Sequence, residues 1–314
     1  MKQITTQHIL IYDMMITFVT TMEKLTHGVY PAIVTPFDEN DNVDYDAFAE
    51  NIRRLEHAGV DGIVPCGSTG ERPTIGLEEH KRIIEFVSEE ATTPVIAGAG
   101  SPSTKETIEL IQHAEDVGAD GALVIGPYYS SPSDQGLIKH HREVANATDL
   151  PLLLYNHPDG MGFSLSPDVI VELAEHPNIV GIKESAGDMQ LVNELCNRTI
   201  DTEFDVMTGW DSLLLPAVSV GCTGIIGLGS NIFPEDVKFI LENAKEENYS
   251  EAFEKHHKIV ALERELMTEH PSITVKYMMS LLGFLEPHVR KPQYPLNDEQ
   301  KTVIRDALQA YQSG

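Results

Sequence analysis

The feature that most constrains this chain is its alternation. From about Gly28 onward, short apolar runs are followed in turn by stretches with the apolar spacing of a helix. A strand pattern from Val29 to Thr35 gives way to Pro36 and a helix pattern from Asp44, with Phe48, Ile52 and Leu55 on one face. Gly62 to Pro65 precedes a helix from Leu77 to Ser88, Val95 to Ala97 one from Thr104 to Val117, and Ala122 to Ile125 one from Gln135 to Ala147. Leu152 to Tyr155 precedes a helix from Pro167 to Glu175, where Ser166 suits the N-cap and Pro167 the first helical position. Residues 179 to 183 precede Met189 to Cys196, Phe204 to Thr208 precedes Asp211 to Val220, and Gly224 to Ile226 precedes a helix from Pro234. The eight strands are short and apolar enough to be buried on both faces. Eight parallel units predict an α/β fold, a (β/α)8 TIM barrel over residues 27–246. A doubly wound sheet is the alternative, but no G-x-G-x-x-G opens a helix after the first strand. Residues 247–314 read as a C-terminal helical appendage of three helices, roughly Tyr249 to Thr268, Ser272 to Leu282 and Asn297 to Tyr311.

Charge narrows the partners. The 314 residues carry a formal charge of −27, which repels nucleic acid and anionic membrane. Self-repulsion of this size is screened by salt, so a salt-rich, halophilic setting is expected. A melting temperature that stays flat from dilute buffer to molar salt would remove that expectation. Cys66, Cys196 and Cys222 are widely spaced, with no CxxC, which suits a reducing, cytoplasmic compartment and argues against a zinc site. The pairs His140-His141 and His256-His257 lack metal-ligand spacing and read as solvated helix residues. Residues 1–26 read as an N-terminal extension, either disordered or packed on the barrel or a neighbouring subunit. Its apolar stretch, Ile9 to Met22, is broken by Asp13 and is too short for a membrane span.

The stretch Asn178 to Ser185 ends an apolar strand on a lysine, Lys183. Burial disfavours the charged amine, and a neutral lysine can attack a carbonyl to form a Schiff base. The plain alternative is a lysine reaching water or pairing with Glu184.

Chemistry in a barrel collects at the C-terminal ends of strands. After the second strand comes Gly67-Ser68-Thr69-Gly70-Glu71, whose glycines free backbone N–H groups for a small carboxylate. After the fourth comes Pro127-Tyr128-Tyr129, and after the fifth Tyr155-Asn156-His157-Pro158. A phenol near a Schiff-base lysine could carry protons. Gly209-Trp210-Asp211 and Gly227-Leu228-Gly229 stand at the last two strand ends. A thiol hydrolase built on Cys66 is a further possibility, with His157 the one strand-end histidine that could serve as base.

Together GSTGE at 67–71, PYY at 127–129, YNHP at 155–158 and GIKES at 181–185 resemble the dihydrodipicolinate synthase / N-acetylneuraminate lyase family. So do PAIVTPF at 31–37 and PSITVK at 271–276, and the resemblance runs from about residue 27 to the end. It implies a class I pyruvate-dependent aldolase in which Lys183 forms a Schiff base with pyruvate, without metal or cofactor. Tyr155 corresponds to the proton shuttle, Ser68 to the hydroxyl linking it to a second tyrosine, and Tyr129 to that tyrosine, which reaches across from a neighbouring subunit. Thr69, with the backbone N–H groups of 68 and 69, corresponds to the pyruvate carboxylate site, and Gly67 beside them to a substrate-binding position. Ile226, Gly160 and Gly209 correspond to positions lining the substrate pocket. The resemblance also implies a homotetramer, a dimer of dimers.

At the substrate the sequence departs from the pattern. Dihydrodipicolinate synthases carry an arginine for the acceptor's carboxylate in the loop after YNxP, and here that position is Gly160. Arg72 is the one alternative cation, from another wall, although a charged surface pair suits it better. An uncharged acceptor is therefore expected, as in reversible cleavage of a 2-keto-3-deoxy sugar acid of the 2-keto-3-deoxygluconate type in carbohydrate metabolism. The alternatives are 4-hydroxy-tetrahydrodipicolinate synthase, a keto-deoxy sugar acid dehydratase, and a non-catalytic ligand-binding barrel.

Overall fold

The structure is a computed structural model and describes residues 25–313, so the expected extension lies almost wholly outside the described residues. Seven strands form one parallel sheet: β1 (Gly28–Pro31), β2 (Ile96–Gly98), β3 (Gly121–Ile125), β4 (Leu152–Asn156), β5 (Ile179–Glu184), β6 (Asp205–Thr208) and β7 (Gly224–Gly227). Their order is β1-β7-β6-β5-β4-β3-β2. The eighth stave, expected as a strand over Gly62 to Pro65, is reduced to two parallel bridges, Ala32 with Val64 and Ile63 with Val95. It still closes the ring. Val64 N donates to Pro31 O at 2.9 Å on one side, and Ile96 N to Ile63 O at 2.9 Å on the other. Pro65 has no N–H to donate into the ladder, although its carbonyl still accepts from Gly98 N at 3.0 Å.

Helices alternate with the strands. They are α1 (Tyr45–His57), α2 (Leu77–Glu90), α3 (Thr104–Asp116), α4 (Asp134–Ala145), the one-turn α5 (Pro158–Met161), α6 (Pro167–Ala174), α7 (Met189–Arg198), α8 (Leu214–Ser219) and α9 (Pro234–Lys245). Side chains start several of them: Asp44 accepts from Ala47 N at 3.0 Å, and Ser166 accepts from Val169 N at 3.3 Å. The helix expected from Asp211 to Val220 is split into a 3-10 turn, Asp211–Leu213, and α8. Pro216 supplies no N–H to a helical bond there. Three C-terminal helices follow, α10 (Tyr249–Leu266), α11 (Pro271–Leu281) and α12 (Asp298–Ser313).

Two apolar layers follow from the two-residue strand period. Tyr30, Val64, Leu123, Leu153, Val180, Met207 and Ile226 fill the barrel interior. The alternate residues, among them Val124, Leu154 and Ile182, pack outward on the helices. The C-terminal helices bury Ile273, Val275 and Met278 against Val34, Leu228 and Ile232 at the barrel mouth. At roughly 25 cal/mol per Å² of apolar area, that contact stabilises barrel and appendage together.

The histidine doublets correct the sequence reading. His140, His141 and His256 are buried, not solvated. α4 is covered on more than one side, so its doublet lies within the packing. Thr104 Oγ1 lies 2.9 Å from His140 Nδ1, and Leu137 O lies 2.9 Å from His141 Nδ1. Burial pushes both rings well below the ordinary histidine range, to about 3 and about 4, so they stay neutral.

Candidate active site

β4 and β5 place the two central groups side by side, because Tyr155 and Lys183 are partners in the sheet register. Lys183 is 7% exposed, and its Nζ lies 4.5 Å from the centre of the Tyr155 ring. Glu184 faces away from Lys183, as the next residue in a strand must. Its two oxygens accept from Asn156 Nδ2 at 2.8 Å and Ala186 N at 2.5 Å, so Glu184 is not the lysine's partner. Burial pushes this carboxyl up to about 7.

Above Lys183 opens a cavity of about 310 Å³, with Ser68, Thr69, Tyr155, Gly160, Lys183 and Gly209 in its wall. A neighbouring cavity of about 180 Å³ shares Ser68, Tyr155 and Gly160 and adds Gly67, Cys66 and Arg72. Gly209 has a steric reason to be glycine: a Cβ there would come within 2.9 Å of Lys183 Cε. The turn at 67–71 is closed by Gly70 N to Gly67 O and Glu71 N to Ser68 O, both 3.1 Å. Thr35 Oγ1 donates to Gly70 O at 2.8 Å from beneath. Among the described residues the N–H groups of Ser68 and Thr69 donate to no protein oxygen. The cavity wall therefore carries two open donors within one turn of chain, a suitable arrangement for a carboxylate.

Two expected residues stand elsewhere. Tyr129 does not enter the cavity: it is 97% exposed and held at φ 73°, a left-handed backbone that is strained for a tyrosine. Ile226 is wholly buried in the barrel interior, one layer below the mouth. Leu228, just past the end of β7 and with helical backbone angles, lines the cavity instead. Neither Ser68 nor Tyr129 hydrogen-bonds Tyr155 among the described residues. Cys66 is buried and its thiol is pushed up to about 12 by burial, which removes the thiolate that a hydrolase would need. Arg72 is more enclosed than a surface pair: Nη1 donates to Ile75 O at 3.1 Å, and Nη2 reaches Glu106 at 3.4 Å.

Trp210 lines the wall at its strand end as the sequence suggests, and the wall also holds residues that strand-end reasoning missed, namely Asp159, Met267, His270 and Pro271. The last three come from the junction of α10 and α11, which no local pattern connects to the barrel mouth. His157 stacks on Tyr155 with ring centres 5.5 Å apart and planes 5° apart. Burial, then the charge of Lys183, lowers His157 to about 4, so it is a neutral ring at working pH. It fills the space beside Gly160, where a Cβ would come within 2.6 Å of His157 Cδ2. Among the described residues no group of three or more His, Cys, Asp and Glu side chains is arranged to hold a metal ion. No described helix is long and apolar enough to cross a membrane.

Comparison with known proteins agrees with this architecture. Residues 25–311 match the sequence profile of the Dihydrodipicolinate synthetase family. A 4-hydroxy-tetrahydrodipicolinate synthase of Methanothrix thermoacetophila is 40% identical over 281 residues, 90% of this chain and 95% of its own. The protein of that name from Haloarcula marismortui is 41% identical over 283 residues, 90% of this chain and 92% of its own. A crystal structure of dihydrodipicolinate synthase from Aquifex aeolicus superimposes with a TM-score of 0.88 at 37% identity, covering 91% of this chain and 98% of that one. A prophage protein of the dihydrodipicolinic acid synthase family from E. coli K12, in complex with pyruvate, superimposes with a TM-score of 0.89 at 31% identity, covering 92% and 99%.

Proposed function

Because the chain belongs to the Dihydrodipicolinate synthetase family, class I lyases that join pyruvate to a lysine as a Schiff base, we propose that Lys183 is that lysine. The observation that carries this is a single one: a buried lysine with no carboxylate partner among the described residues lies over a phenol ring in the wall of a cavity that also carries Ser68 and Thr69, whose N–H groups donate to no protein oxygen among the described residues. In this reading the N–H groups of Ser68 and Thr69 receive the pyruvate carboxylate. Lys183 Nζ adds to the keto carbon, and loss of water gives an iminium. Removal of a methyl proton yields an enamine, whose carbon attacks the aldehyde carbon of the acceptor. Tyr155 delivers the proton that the new alkoxide takes up, and hydrolysis returns the amine. The steps run backwards as cleavage of a 2-keto-4-hydroxy acid. In the same reading Tyr129 contacts a second copy of the chain in a homo-oligomer, which its exposure and strained backbone support.

The acceptor has two readings. The name shared by the relatives supports condensation with aspartate semialdehyde, the 4-hydroxy-tetrahydrodipicolinate synthase reaction. A specific observation favours the second, an uncharged hydroxylated aldehyde of the kind released from 2-keto-3-deoxy sugar acids. Beside Gly160 stand a neutral His157 and an acidic Asp159, and Arg72, which shares the neighbouring cavity with Gly160, is already engaged by Ile75 O and Glu106, so an acceptor carboxylate there lacks a free bidentate partner among the described residues.

The test is borohydride reduction in the presence of pyruvate, followed by peptide mapping. We expect the adduct on Lys183; an adduct elsewhere, or none in the folded protein, overturns the reading. Pyruvate consumption is then followed with aspartate semialdehyde and with glyceraldehyde in parallel. Consumption only with aspartate semialdehyde assigns the synthase reaction, and only with glyceraldehyde the aldolase. Release of water from a keto-deoxy sugar acid without aldehyde assigns a dehydratase.

A further inference from the structure

We propose that Lys276 is a positioning residue for the site: its buried ion pair with Glu71 holds the Gly67–Glu71 turn in the shape that presents the Ser68 and Thr69 N–H groups to the substrate carboxylate. This rests on the reading that the turn binds pyruvate. Lys276 lies in α11 and Glu71 follows the second stave, yet both side chains are essentially inaccessible, at 0% and 1% exposure. Lys276 Nζ donates to Glu71 Oε1 at 2.5 Å and to His288 O at 2.8 Å. The other oxygen, Oε2, accepts from Arg290 N at 3.0 Å. Both oxygens of the last residue of the turn are therefore held from the C-terminal region. Phe37, whose ring centre lies 4.3 Å from Lys276 Nζ and 4.1 Å from the Arg290 guanidinium, packs against both cations.

Two physical arguments point to positioning rather than stability. A buried ion pair is a poor way to gain stability, since apolar residues of similar volume commonly do as well or better. The second is backbone strain. Glu71 has φ 58°, a left-handed conformation that a glutamate adopts only when its surroundings impose it. The carboxylate grip is what imposes it, and the same residue's N–H closes the turn on Ser68 O.

The test compares Glu71→Gln, Lys276→Met and the double variant with the unaltered chain. Either single change strands a buried partner and can prevent folding. The double variant removes both charges and keeps much of the volume, and Glu71→Gln alone keeps the shape. Carboxylate binding is made in ground state and transition state alike, so its loss raises KM with little change in kcat. In the folded variants we expect the pyruvate KM to rise at least tenfold, kcat to stay within about threefold, and amide exchange at residues 67–70 to quicken. An unchanged pyruvate KM in a folded variant overturns the proposal, whatever happens to its melting temperature. If the unaltered chain traps no pyruvate on borohydride reduction, the pyruvate reading itself has failed, a different outcome.

Discussion

Lys183→Ala abolishes turnover and the borohydride-trapped pyruvate adduct together, and leaves the melting temperature within a few degrees. Among the described residues the amine is the only group in the cavity wall that can form an iminium, and the change leaves no electron sink for the methyl carbanion. A loss of about 10^4-fold or more is expected, the scale seen when a covalent nucleophile is removed from an enzyme. The fold should tolerate it. Lys183 forms no ion pair among the described residues, so no partner is stranded. Truncation opens space toward an existing cavity rather than inside the close-packed interior. Residual activity of even a few per cent in a protein free of unaltered enzyme would sink the Schiff-base mechanism.

Tyr155→Phe separates carbonyl capture from proton delivery. The ring is 6% exposed, packs against both Lys183 and the His157 ring, and would keep its packing without the hydroxyl. Removing a general acid–base group costs typically 10²–10⁴-fold, and kcat should fall by about that amount. The adduct still forms on Lys183, more slowly, and the pyruvate concentration needed for half-saturation moves little. A variant as active as the unaltered chain would mean that another group carries the proton, with the neutral His157 the nearest candidate.

Much of this was legible in the sequence because buried parallel strands leave a plain mark. Seven of the eight expected apolar runs are strands, and Ser68, Thr69, Tyr155, Gly160, Lys183 and Gly209 do meet at one cavity. What was not legible depends on tertiary placement. His140 and His141 look polar in a linear reading, but the helix that carries them is wrapped by its neighbours. Ile226 lies inside β7 and Leu228 just beyond its end, and only the height at which the strand stops decides which of them reaches the mouth. Met267, His270 and Pro271 enter the wall from a junction far along the chain, with no periodic signal to announce it. The grip on Glu71 spans 205 residues of sequence, and neither partner's neighbourhood points to the other.

Glu263 of α10 accepts from the N–H groups of Asp211 and Ser212 at 3.0 and 2.8 Å, and Asp211 in turn accepts from those of Leu228 and Gly229 at 3.1 and 2.9 Å. With the Lys276–Glu71 pair, this makes the rim of the barrel a shared possession of both ends of the gene. Residues 27–246 and 247–314 can be drawn as separate segments, but neither has its buried charges answered without the other. The tail is not an exchangeable module, and lineages that altered the chemistry would have had to carry it along.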